Sequence, residues 1–160
     1  MAAGGRSLSV VRCAVAAAVV LLLAGEASSS CLYLGANSLV DNYVVLDLTD
    51  LSRVASFDAI GQPDAMVVRN HRLYVNIVGP IGGGTILPGR IVEIDLRQGA
   101  MREFPTGSAN VDLAWANGKL YTANSYDQTV TVADPATGST TTLHGFGRFP
   151  SALAASPDGA

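Results

Sequence analysis

A Leu-Tyr pair opens three stretches of this chain: Leu32-Tyr33, Leu73-Tyr74 and Leu120-Tyr121, spaced 41 and 47 residues apart. Self-similarity at such a period means one supersecondary unit used several times, each copy burying its apolar faces against its neighbours. Other landmarks recur in phase. Each copy has a β-branched run ending in Asp: YVVLD to Asp47, IVEID to Asp95 and VTVAD to Asp134. A turn and another strand follow, ending near Gly61, Gly107 and Gly147. Next comes an apolar strand: PDAMVV from Pro63, NVDLAW from Asn110, PSALAA from Pro150. Each runs into a tight turn: Arg69-Asn70-His71-Arg72, Ala116-Asn117-Gly118-Lys119, Ser156-Pro157-Asp158-Gly159.

Four strands every 41 to 47 residues is the period of a β-propeller blade. The expected fold is all-β: a propeller of four-stranded antiparallel blades, with about three repeats at about 32–72, 73–119 and 120–160. YVVLD and IVEID read as near-continuous apolar runs, as strands buried on both faces do. The small side chains of Ala152, Ala154 and Ala155 suit an innermost strand lining a channel. The second copy is longer by a Gly/Pro-rich stretch, Gly79-Pro80-Ile81-Gly82-Gly83-Gly84 through Pro88-Gly89, read as a flexible loop and not a strand.

The residues that carry this pattern resemble the YVTN β-propeller repeat of bacterial and archaeal secreted and surface-layer proteins. The resemblance covers roughly residues 31–160 and is closest in Leu120-Tyr121-Thr122-Ala123-Asn124, Val130-Thr131-Val132-Ala133-Asp134, Ala136-Thr137-Gly138 and Ser156-Pro157-Asp158-Gly159. Two copies depart from it. Gly35-Ala36-Asn37 has its Asn one place late, and Tyr74-Val75-Asn76 one place early. The phase implies that each repeat begins at the second strand of one blade and closes with the innermost strand of the next.

The N-terminus stands apart. Arg6 and Arg12 flank the apolar run Cys13 to Ala24, which is shorter than the roughly 20 residues a spanning helix needs. It has the length of a secretory signal core. Gly25-Glu26-Ala27 supplies the small residues for cleavage after Ala27. Residues 1–27 are therefore expected to be a signal peptide and 28–160 a partial propeller. The chain is expected to be exported to the periplasm, cell surface or extracellular space, with no transmembrane span after cleavage. Cys13 leaves with the signal, and Cys31 is then alone, so no intrachain disulfide forms. Two readings of Cys31 stay open. Ser28-Ser29-Ser30-Cys31 resembles a poor lipidation motif, lacking the aliphatic residue three places earlier. Otherwise Cys31 is a small apolar residue opening the first strand.

The net charge is −3, with no basic run or Lys/Arg stripe, so no nucleic-acid partner is expected. No CxxC, HExxH or c-type haem motif occurs, and the glycine run lacks a Gly-Lys-Ser/Thr ending. His71, in a turn, and His144, at the end of an outer strand, are too far apart in the repeat to form a cluster. Asp47, Asp95 and Asp134 recur before a turn, where a carboxylate accepts hydrogen bonds from turn amides.

Asp64, Asn110 and Asp112 are the ligand or cation candidates. They open innermost strands, where a propeller ligand approaches the channel mouth and where oxygens from adjacent blades suit a hard cation such as Ca²⁺. Strand alternation sends Asp64, second in its motif, and Asp112, third, to opposite faces. Trp115 is read as buried packing, and Gly145-Phe146-Gly147-Arg148-Phe149 as a connection tucking its rings under a sheet.

Propellers have about 4–8 blades, so three repeats make an incomplete ring. The expectation is a fragment of a longer chain; the runner-up is a homodimer in which two copies give six blades. With no catalytic residue or required cofactor named by the residues, the functional reading is an exported, non-catalytic binding or scaffold module. The alternative is the N-terminal part of a propeller enzyme resembling the lactonases.

Overall fold

In the computed structural model the described residues are 31–35, 42–47, 53–58 and 61–156, with side chains described from residue 61 onward. They form strands and turns, without a helix. The strands are β1 (Cys31–Gly35), β2 (Asn42–Asp47), β3 (Arg53–Asp58), β4 (Gln62–Arg69), β5 (Arg72–Val78), β6 (Ile81–Gly82) and β7 (Thr85–Ile86). They continue with β8 (Pro88–Asp95), β9 (Met101–Ser108), β10 (Asn110–Ala116), β11 (Lys119–Asn124), β12 (Thr129–Asp134) and β13 (Ser139–His144). Three antiparallel meanders result: β1-β2-β3, β4-β5-β8-β9 and β10-β11-β12-β13. The sheet boundaries fall at β4 and β10, not at the Leu-Tyr pairs. This is the offset the sequence phase predicts.

The hairpins follow from their turn residues. Asn70 (φ 49°) and His71 (φ 60°) join β4 to β5, and Asn117 (φ 48°) and Gly118 (φ 75°) join β10 to β11. Two consecutive positive-φ residues define the primed turn whose twist matches that of its strands. Asp95 Oδ1 accepts from Arg97 N (2.8 Å) and Gln98 N (3.1 Å). Asp134 Oδ1 accepts from Ala136 N (2.9 Å) and Thr137 N (3.3 Å) at the same place in the next sheet. These aspartates are turn formers, as their position before a turn suggests.

The second strand of the middle sheet, β5, is buried at five consecutive residues, Leu73 to Ile77. Its two faces serve two different cores. Leu73, Val75 and Ile77 pack with Val92, Ile94 and Leu96 on one side. Tyr74 on the other joins Ile91, Phe104, Leu113, Leu120 and Ala133, a cluster drawn from both four-stranded sheets. Each fully buried aliphatic or aromatic side chain there contributes about 1.5–3 kcal/mol, so this cluster holds the two sheets face to face. Trp115 packs at its margin with its ring centroid 5.5 Å from that of Tyr74. Glu93 is buried in the same layer, paired with Arg72 (3.2 Å) and Arg102 (2.5 Å). Arg102 also donates to Pro135 O at 2.6 Å and lies over the Phe104 ring, bridging the sheets.

Two expectations need correction. The Gly79–Gly84 stretch is not a shapeless loop: it carries the β6-β7 hairpin, turning at Gly83 and Gly84 with φ of 59° and 82°. Glycine adopts this pair of angles at no steric cost, so the glycine run encodes a hairpin. Phe146 and Phe149 are 49% and 60% exposed and are not tucked under a sheet.

Candidate functional site

The first strands of the two four-stranded sheets, β4 and β10, lie side by side. Each contains a bulge. Pro63 pairs with Ile77 and Met66 with Val75, so Asp64 and Ala65 together oppose Asn76. Val111 pairs with Ala123 and Ala114 with Tyr121, so Asp112 and Leu113 together oppose Thr122. A bulge resets the alternation of side chains along a strand. Asp64 and Asp112, second and third in their motifs, are each the first residue of a bulge. That corrects the expectation that they point apart.

The two aspartates form a relay across strands. Asp64 Oδ2 accepts from Asp112 N at 2.9 Å. Asp112 Oδ2 accepts from Leu153 N at 2.6 Å, and its Oδ1 from Leu113 N at 2.8 Å. Asp112 has φ 54°, a conformation that costs an ordinary residue about 1–2 kcal/mol and that Asp tolerates better than most. The carboxylates thus hold the first strand of one sheet to the next, and then to residues 150–156, which form no strand.

Asn110, the third candidate, is not part of this relay. It is fully buried and turned into the interface between the sheets. Its Nδ2 donates to Asn76 Oδ1 at 2.6 Å and to Ile77 O at 3.0 Å. Asn76 Nδ2 donates in return to Asn110 O (2.8 Å) and Asp112 O (3.3 Å). Thr122 Oγ1 donates to Asp112 O at 2.9 Å and lies 3.2 Å from Asn76 Oδ1. The bulge displaces carbonyls from the ladder, and Asn76 and Thr122 supply their missing donors, as buried polar groups require. Among the described residues, Asn110 Oδ1 alone is a buried side-chain oxygen left without a donor. It faces Gly89, where an ideal Cβ would stand only 2.0 Å away.

Asn76 and Asn124 show what a one-place shift does. Asn76 reaches forward to the following sheet. Asn124, on the opposite strand face in the repeat's phase, reaches back: its Oδ1 accepts from Gly107 N of β9 at 3.1 Å. Its Nδ2 donates to Thr129 and Thr131 hydroxyls at 2.9 and 2.8 Å. Asp127 Oδ2 adds a bond from Ser108 N at 2.7 Å. Sequence reasoning missed this buried amide network. Its signal was available: Asn76 is a lone amide in the middle of the apolar run LYVNIV.

The pKa shifts in this part of the molecule are structural in origin. The Asp95 carboxyl is held below the usual range by the Arg97 and Gln98 amides. Burial pushes the Tyr74 hydroxyl up, and the Glu93 carboxylate raises Arg72. Among the described residues no three His, Cys, Asp or Glu side chains gather as a metal site would require. His71 lies in its turn, 3.1 Å from Arg97 Nη2, and His144 ends β13. The backbone of Cys31 lies in β1, but its side chain, the carboxylate of Asp47, residues 1–27 and residues 157–160 lie outside the described residues. No protein-family model and no curated protein sequence matches the chain.

Proposed function

We propose that this chain is part of an exported β-propeller of the YVTN type, working as a non-catalytic binding or scaffold module. The observation that carries the reading is the use made of the polar side chains at the first strands. Asp64 accepts the Asp112 amide of the neighbouring strand, Asp112 accepts the Leu153 amide, and Asn76, Asn110 and Thr122 bond to one another and to backbone carbonyls at the bulge and in β5. A catalytic or metal-binding centre needs such groups converging on a substrate or ion. Here their hydrogen bonds join one sheet to the next. The side-by-side first strands and the apolar cluster between two four-stranded sheets are what blades of one ring share.

Export rests on the N-terminal pattern, with cleavage after Ala27. Sequencing the mature N-terminus tests it, with Ser28 as the expected first residue; retention of Met1 on the protein in its final compartment contradicts it. A mass increase on Cys31 of the size of an acyl-glyceride would identify the lipid-anchored form. The catalytic question is tested by incubating the full chain with chromogenic esters and simple lactones, with and without Ca²⁺, beside calcium titration calorimetry. The account predicts neither hydrolysis nor binding heat. Hydrolysis abolished by Asp64→Ala or Asp112→Ala would establish the lactonase-like alternative.

A further inference from the structure

The fold gathers arginines that the sequence keeps apart. Arg69 and Arg72 flank the β4-β5 turn and stand directly opposite each other. Arg72 in turn stands opposite Asp95 of β8, so the three side chains share one face. Arg97, in the turn after β8, brings its Nη2 to 3.1 Å from both ring nitrogens of His71 in the β4-β5 turn. The carboxylates beside these arginines are already engaged. Glu93 is buried between Arg72 and Arg102, and Asp95 Oδ1 accepts the Arg97 and Gln98 amides. Arg69 and Arg97 are exposed and enter no ion pair among the described residues.

Like charges directly opposite each other weaken a strand pair, and Arg97 adds a third guanidinium against the same turn. This crowding occurs in a chain whose net charge is −3. Arg69 gains no counter-charge in return. A local conflict of this kind, in strands otherwise consistent with their fold, is expected where a surface serves binding. We infer that Arg69, Arg72 and Arg97 form a surface for a linear polyanion, engaged through its phosphate groups. The guanidinium fork matches phosphate geometry and stays charged.

Exposure decides between a small anion and a polymer. A single phosphate on exposed arginines gains little over water, as exposed ion pairs do. A chain of linked phosphates meets several arginines at once, and each contact after the first is intramolecular. The surface is separate from the first-strand carboxylates, because Asp64 lies near the start of β4 and Arg69 ends it. The inference rests on the binding-module reading, to which it gives a ligand class.

The experiment titrates the full chain calorimetrically with long-chain inorganic polyphosphate at several salt concentrations, beside orthophosphate at the same phosphate concentration. Polyphosphate should bind and orthophosphate should give no heat. The slope of log affinity against log salt should become shallower by about one for each of Arg69→Gln and Arg97→Gln. Arg148→Gln, an exposed arginine beyond the far end of β13, should leave it unchanged. Absence of polyphosphate binding, equal binding of orthophosphate, or a slope unmoved by Arg69→Gln and Arg97→Gln overturns the inference. Thermal unfolding without ligand gives a second readout. Arg69→Gln relieves the like-charge pair and should raise Tm; a lowered Tm makes Arg69 a support of its hairpin and overturns the inference. The non-catalytic reading is judged separately by the ester and lactone assays. A chain that hydrolyses nothing and ignores polyphosphate loses only this ligand; one that binds polyphosphate and hydrolyses lactones keeps the surface and loses the non-catalytic reading.

Discussion

Gly89→Ala is the sharpest test of how the two four-stranded sheets meet. The added methyl would stand 2.4 Å from Ile77 O and 2.0 Å from Asn110 Oδ1. Ile77 O is backbone at the end of the buried run of β5, held in the ladder with β8, and cannot turn aside. Asn110 can retreat only by giving up its bonds to Asn76 Oδ1 and Ile77 O. Forcing a methylene into a packed interior costs about 1–3 kcal/mol. Leaving the freed amide groups buried without partners costs about 1–3 kcal/mol more. The expected loss is therefore roughly 2–6 kcal/mol, which for a domain of this size lowers Tm by about 5 °C or more. Gly82→Ala is the control, because its methyl meets only the flexible Leu87 side chain at 3.3 Å. Thermal unfolding followed by circular dichroism compares the two variants with the unsubstituted chain. If Gly89→Ala shifts Tm by no more than Gly82→Ala, the close approach of β8 to Asn110 is wrong, and with it the packing of one sheet on the next.

Three further outcomes follow from particular contacts. Glu93→Gln leaves Arg72 and Arg102 without their shared counter-charge, and with both arginines partly solvated the loss should be about 2 kcal/mol in urea unfolding; a loss below about 0.5 kcal/mol would show the bridge to be idle. Asp95 has its carboxyl held low in the folded chain by the Arg97 and Gln98 amides, so its stabilising effect is present above the unfolded pKa and lost as pH falls through the folded one. The stability difference between the unsubstituted chain and Asp95→Asn should accordingly shrink as pH drops below about 4, and a difference that grows with acid would reverse the assignment. His71→Gly should stabilise by about 0.5–1 kcal/mol, because φ of 60° after Asn70 is the glycine position of a primed turn; a lower Tm would mean that the contact with Arg97 outweighs the strain.

Much of this architecture could be read from periodicity. The phase of Leu73-Tyr74 and Leu120-Tyr121 located the second strands, and the Asp before each turn located the ends of the third strands, because turn chemistry is local. The buried run LYVNIV announced a strand packed on both faces. The arrangement of the polar side chains was not legible in the same way. Alternation places Asp64 and Asp112 on opposite faces only in a regular strand, and the two bulges, displaced by one residue from each other, cancel that difference. No turn residue or spacing marks a bulge of this kind. The role of Gly89 was equally hidden, because it depends on Asn110 arriving from a strand of another sheet. Reading Gly79 to Gly84 as a loop overlooked that Gly83-Gly84 is also a hairpin turn.

The central claim is that the buried amides join sheets. The most direct measurement is a double-mutant cycle of Asn76→Ala and Asn110→Ala, followed by denaturant unfolding of the full chain. The account predicts that the two losses are strongly non-additive, with a coupling of about 1–3 kcal/mol, since each side chain donates to the other's residue. Losses that add to within about 0.5 kcal/mol would mean that the two amides do not meet, and would contradict the packing of these two sheets on one another.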